Sequence, residues 1–98
     1  MHEILIKRVG QEPVVESREE ITLEVMKEIV GGHIELLKLP GGVDLWLNEE
    51  GLLIGLEPNL LVNGHLIVGD VFFSGSTPDG DTVGLTEDQK RSALSFLE

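Results

Sequence analysis

Turn signals follow one another so closely along this chain that only short strands and short helices fit between them. Residues 3–9 alternate around Ile4, Leu5 and Ile6, and after Gly10-Gln11-Glu12 the chain resumes as Pro13-Val14-Val15-Glu16, which predicts two strands on a tight turn. Pro13 has no amide hydrogen and belongs at a strand start or edge. Thr22 is placed to cap a helix in which Leu23, Val25, Met26, Ile29 and Val30 recur near helical spacing, with Glu24 and Glu28 facing water. Gly31-Gly32 ends it by supplying the left-handed residue that helix ends favour. Residues 33–39 read as a strand that stops at Pro40-Gly41-Gly42, and residues 43–47 alternate cleanly. The two predict a hairpin with Val43, Leu45 and Leu47 inward and Asp44 and Trp46 outward.

Asn48-Glu49-Glu50-Gly51 is a further turn, and residues 52–56 take an extended or short irregular path to Pro58-Asn59. Asn63-Gly64, the pair that best tolerates positive backbone angles, joins Leu60-Leu61-Val62 to residues 65–68 as a hairpin. Gly69 marks a bulge or bend before a strand over residues 70–74. Residues 75–84 turn to Ser, Thr, Pro, Gly and Asp and read as a mobile polar loop. Thr86-Glu87-Asp88-Gln89 has the capping-box pattern and opens a helix that packs Ala93, Leu94, Phe96 and Leu97. The expected fold is α+β, one domain over residues 1–98: a curved, mainly antiparallel sheet of five to seven strands, with two helices covering part of one face.

Charge narrows the partners. Residues 39–89 contain no lysine or arginine but carry nine carboxylates, Asp44, Glu49, Glu50, Glu57, Asp70, Asp79, Asp81, Glu87 and Asp88, within a net charge of −11. Such a stretch repels phosphate and favours basic protein surfaces or cations over nucleic acid and anionic membrane. The chain has no cysteine, which excludes disulfides and thiolate metal sites. Its apolar runs are too short to cross a bilayer and its start has no signal-peptide pattern, so the cytoplasm is the expected location.

Several separated motifs occur in order: Val30-Gly31-Gly32-His33-Ile34-Glu35, Leu39-Pro40 with Gly42, Asn48-Glu49-Glu50-Gly51, Gly55-Leu56 with Pro58-Asn59, and Ile67-Val68-Gly69. Over roughly residues 23–75 this pattern resembles the small uncharacterised proteins of bacteriophage, plasmid and bacterial accessory genomes. The resemblance implies no reaction. It implies a mobile-element setting in which small proteins act by binding host machinery or host defence signals.

Asn48, Glu49 and Glu50 form the most suggestive constellation, either as a solvated turn or as a contact for a cation or basic partner. Adjacent side chains diverge on a strand, so Glu49 and Glu50 are poorly placed to share a proton. Asn59 either closes an Asx turn or presents its amide to a ligand. His33, directly after the double glycine, is a candidate to line a pocket, and an outward Trp46 is a candidate contact. Asp79-Gly80-Asp81 fails as a calcium loop, because counting from Asp79 puts Val83 and Lys90 at ligand positions. His2, His33 and His65 lack metal-site spacing, no serine has a visible base, and neither glycine pair opens a helix as a phosphate cradle does.

These residues suggest no catalytic group, metal or cofactor. The leading expectation is a non-enzymatic inhibitor or counter-defence protein whose acidic surface docks on a basic host protein. The alternative is an oligomeric sponge, a homodimer or larger ring, that sequesters a nucleotide-derived signal. In that reading Trp46 or Phe72 stacks on the base and Arg8, Arg18 or Lys38 supplies cations. A small hydrolase using Glu49, Glu50, Asp79 and Asp81 is the third.

Overall fold

In the computed structural model, which describes residues 1–97, ten elements follow in order. They are β1 (His2–Lys7), β2 (Val14–Arg18), α1 (Leu23–Val30), β3 (Ile34–Leu39), β4 (Val43–Asn48), β5 (Pro58–Val62), β6 (His65–Val68), β7 (Val71–Ser76), β8 (Thr82–Val83) and α2 (Glu87–Ser95). Six strands form one open antiparallel sheet in the order β2-β1-β7-β4-β3, with β8 paired to β7, while β5 and β6 make a separate hairpin. The α+β reading and the two helices hold.

The central strand is β7, a late segment inserted between β1 and β4, with Phe73 paired to Leu5 on one side and to Leu45 on the other. Its residues are buried on both faces, the pattern of a strand covered from both sides. On one face Ile4, Ile6 and Phe72 pack under Met26 and Val30 of α1. On the other, Leu5, Val43, Leu45, Val71 and Phe73 pack under Ala93 of α2 and under Val62 and Ile67 of the β5–β6 hairpin. The helices therefore lie on opposite faces, not together as expected. With period-2 alternation, the β4 face assigned to solvent is in fact the face that α1 covers.

Two consequences follow for β4. Asp44 is buried and paired with Lys38 Nζ at 3.3 Å. Trp46, expected outward, is half-buried, stacks on Phe72 at a centroid distance of 6.3 Å, and donates its indole N–H to Ser74 Oγ at 2.9 Å.

Local signals held. Thr22 Oγ1 accepts from Val25 N and Gly31 ends α1 at φ 78°, and Asn63 and Gly64 turn the β5–β6 hairpin at φ 50° and 81°. Thr86 and Gln89 exchange both bonds of a capping box. Residues 75–84 are not a loop throughout: Gly75 and Ser76 pair with Val83 and Thr82, and Thr77 turns the connection by accepting from Asp81 N and Gly80 N. Gly75 permits this because a Cβ there would stand 2.8 Å from Gly84 O and 2.9 Å from Gln89 Oε1. Among the described residues no helix is long and apolar enough to cross a membrane.

Candidate functional site

Four of the five separated motifs converge at one end of the sheet, while Leu39-Pro40 with Gly42 forms the β3–β4 turn at the opposite end. Asn48, the last residue of β4, is buried. It donates Nδ2–H to Val30 O at 3.2 Å and accepts from Glu50 N at 2.8 Å, so one side chain holds the end of α1 and the following turn. The second glycine of the pair, Gly32, is needed here, since a Cβ on it would stand 2.9 Å from Asn48 Nδ2. Asn59 is a second clamp. Its Nδ2 donates to Lys7 O at 2.9 Å and to Gly69 O at 2.7 Å, and its Oδ1 accepts from Lys7 Nζ at 2.9 Å. Neither expected role of Asn59, Asx turn or ligand fork, describes this long-range tie between β1, β5 and the β6–β7 bend.

Between these clamps runs a turn over residues 48–57, closed by Ile54 N to Glu50 O at 3.0 Å and Leu56 N to Gly51 O at 2.9 Å. It separates two clefts. The larger, about 370 Å³, is lined by Val9, Ile29 and Leu56 with the carboxylates Glu28, Glu57 and Asp70, and no lysine or arginine reaches it. Asp70 Oδ1 also accepts from Val9 N at 2.9 Å. The smaller, about 260 Å³, lies on the opposite side of the turn among Glu35, Leu37, Leu47, Leu52, His65 and Leu66. Glu49 and Glu50 are exposed on the turn itself.

His33 is exposed and lines neither cleft; its contribution is its carbonyl, which accepts from Glu49 N at 2.9 Å. Trp46 lines neither cleft, being held against Phe72 and Ser74. Thus Asn48, Glu49 and Glu50 share one end with Asn59, whereas His33 and Trp46 flank it. What the sequence reading missed is the apolar turn, where Leu52, Leu53 and Ile54 are 74%, 86% and 60% exposed. A signal was present: three apolar residues bracketed by Gly51 and Gly55, without the alternation that would bury half of them.

The cations are scattered and most are ion-paired. Arg18 pairs with Glu16 at 2.7 Å and Arg8 with the same carboxylate at 3.5 Å, beside edge strand β2, while Lys38 meets Asp44 on the opposite edge strand, β3. The hydrogen bond from Arg18, aided by the charges of Arg18 and Arg8, holds the Glu16 carboxyl below its ordinary range. Lys90 bonds Glu3 and Glu87. Those bonds, Glu3 first, raise its ammonium pKa, and the bond from Lys90 lowers that of Glu87.

The four carboxylates of the hydrolase reading do not meet. Val43 pairs with Gly75, so Asp79 and Asp81 lie off the start of β4 while Glu49 and Glu50 follow its end. Among the described residues, no three His, Asp or Glu side chains are grouped to hold a metal.

No curated protein and no solved structure matches the chain. The model of one family, described as a domain of unknown function (DUF3846), matches residues 1–97. Over nearly its whole length, then, the chain belongs to the DUF3846 family.

Proposed function

We propose that this protein works by binding, without chemistry of its own, as an accessory protein of a phage or mobile element that docks on a basic surface of a host protein in the host cytoplasm. The observation that carries the reading is a difference in pairing between cations and carboxylates. Arg8, Arg18 and Lys38 stand at opposite edges of the sheet, each against a carboxylate. Glu35, Glu49, Glu50 and Glu57 are exposed on or beside the 48–57 turn with no ion-pair partner among the described residues. An unopposed negative surface accelerates and orients encounter with a cationic one.

Sequestration of a nucleotide-derived signal draws less support. The larger cleft has room for a small molecule, but its charged lining is carboxylate, and Trp46 and Phe72 are engaged with each other beneath α1.

Affinity capture on the immobilised chain, from a bacterial host lysate at low and then high salt, tests the reading. A cationic protein retained at low salt and released as the screening length falls from about 10 Å to about 3 Å is the expected result. Capture indifferent to salt, or none at either, removes it. A thermal shift with cyclic or ADP-ribose-type nucleotides would favour sequestration instead.

A further inference from the structure

Resting on that reading, we propose where and what the protein binds: the leucine-rich surface between the 48–57 turn and the β5–β6 hairpin receives a cationic amphipathic helix of another protein. The hairpin is apolar on both sides. Val62 and Ile67 enter the core, while Leu61 and Leu66, directly paired across the strands on the outer side, are 65% and 50% exposed. A hairpin with one solvated face normally alternates apolar with polar. Leu66 and Leu52 border the same groove, floored by Leu37 and Leu47, and Leu53 and Ile54 extend the apolar surface along the turn. Single exposed leucines need no explanation, but a contiguous group of them marks an interaction surface.

Charge selects the occupant. Glu35 borders the groove, and Glu49 and Glu50 lie exposed on the turn, with no lysine or arginine lining the groove or lying within the turn. Lys38, the nearest cation along β3, is paired with Asp44 on the face that α1 covers. A second copy would bring the same acidic rim against itself, each carrying a net charge of −11. A helix with apolar residues at i, i+3, i+4 and i+7 and lysine or arginine on its flanks meets both features, seating its stripe in the groove and its cations on the rim.

The test uses the full chain, isotopically labelled, and a synthetic leucine–lysine peptide of about five helical turns with that spacing. Its scrambled isomer, lacking an apolar face, is the control. Amide shifts at Leu52, Leu53, Ile54, Leu61 and Leu66, and an affinity about tenfold or more above that of the scrambled peptide, are expected. Leu53→Ser combined with Leu61→Ser is expected to weaken binding about tenfold or more while leaving the thermal midpoint nearly unchanged. Glu49→Gln with Glu50→Gln is expected to flatten the salt dependence. Equal binding of both peptides, or shifts confined to another surface, overturns this placement but leaves acidic docking standing. No binding of either at low salt overturns both. A doubled mass by light scattering, reversed by the Leu53 and Leu61 changes, overturns it in favour of self-association.

Discussion

The two faces of the central sheet are covered by different means, and the difference separates what holds this protein together from what it offers to others. On the α1 face, a capped amphipathic helix lays Met26 and Val30 on Ile4, Ile6 and Phe72. The polar groups beside them find partners: Trp46 with Ser74, Asp44 with Lys38, and Asn48 with the end of the helix. On the other face, α2 buries only Ala93 of its own residues, and the remaining cover comes from a two-stranded hairpin with leucines on its outside. A helix confines its apolar surface to one stripe, whereas this hairpin is apolar on both faces, so the second cover hides the core and creates new exposed surface.

If that contrast is right, truncation costs much on the first face and little on the outer skin of the second. The largest effect is expected for Phe72→Ala, which empties the centre of the α1 face and removes the Trp46 stack: about 3–5 kcal/mol by urea denaturation. A loss of less than about 1 kcal/mol would mean that α1 is not the firm cover described. Asn48→Ala comes next at about 1–3 kcal/mol, because Val30 O and Glu50 N both lose their partner at a buried site. Loss of amide-exchange protection centred on the last turn of α1 and the 48–51 turn would sharpen the assignment. Thr86→Ala, which removes the capping box of α2, is expected to cost about 1 kcal/mol.

Acid sensitivity is a smaller test, on the β1–β2 side of the α1 face. The Glu16 carboxyl is held low by Arg18 and Arg8, so its contribution is fully present above the ordinary carboxylate range and is lost as pH falls through the depressed folded value. Glu16→Gln is therefore expected to be less stable than the parent near neutrality, with the difference closing in acid; a difference that grows in acid refutes the pairing. Least of all, Leu53→Ser is expected to shift stability by no more than about 0.5 kcal/mol, since the side chain is 86% exposed. A substantial loss there would erase the distinction between the two faces.

Much of the fold was legible because its punctuation is local. Asn63-Gly64 turns a hairpin through the positive angles that this pair tolerates, and Thr86 is followed three residues later by the glutamine that completes its box. Where glycine acted through neighbours distant in sequence, reading failed. Gly75 looked like loop composition but is a close-approach point in the central strand, and its meaning depends on Gly84 and Gln89. The candidate site was legible as a set of motifs but not as an arrangement. Asn48 and Asn59 were singled out as contacts, yet each spends its amide on hydrogen bonds within the fold, to backbone groups and, for Asn59, also to Lys7 Nζ. The exposure of Leu52, Leu53 and Ile54 was missed, because hydrophobic residues by themselves predict burial and the missing alternation between Gly51 and Gly55 was the only contrary signal.

Residue order alone determined most of the element types and turn positions, β8 excepted, and the lack of cations across residues 39–89, since propensity, capping and charge depend on neighbours within a few positions. Only the tertiary structure decided that β7 enters between β1 and β4, which helix takes which face, and that five leucine and isoleucine side chains stay outside beside unopposed carboxylates. Those outcomes depend on long-range pairing: in a sheet of period two, the face a residue presents is the same whichever strand lies beside it, but what covers that face is settled by the whole chain.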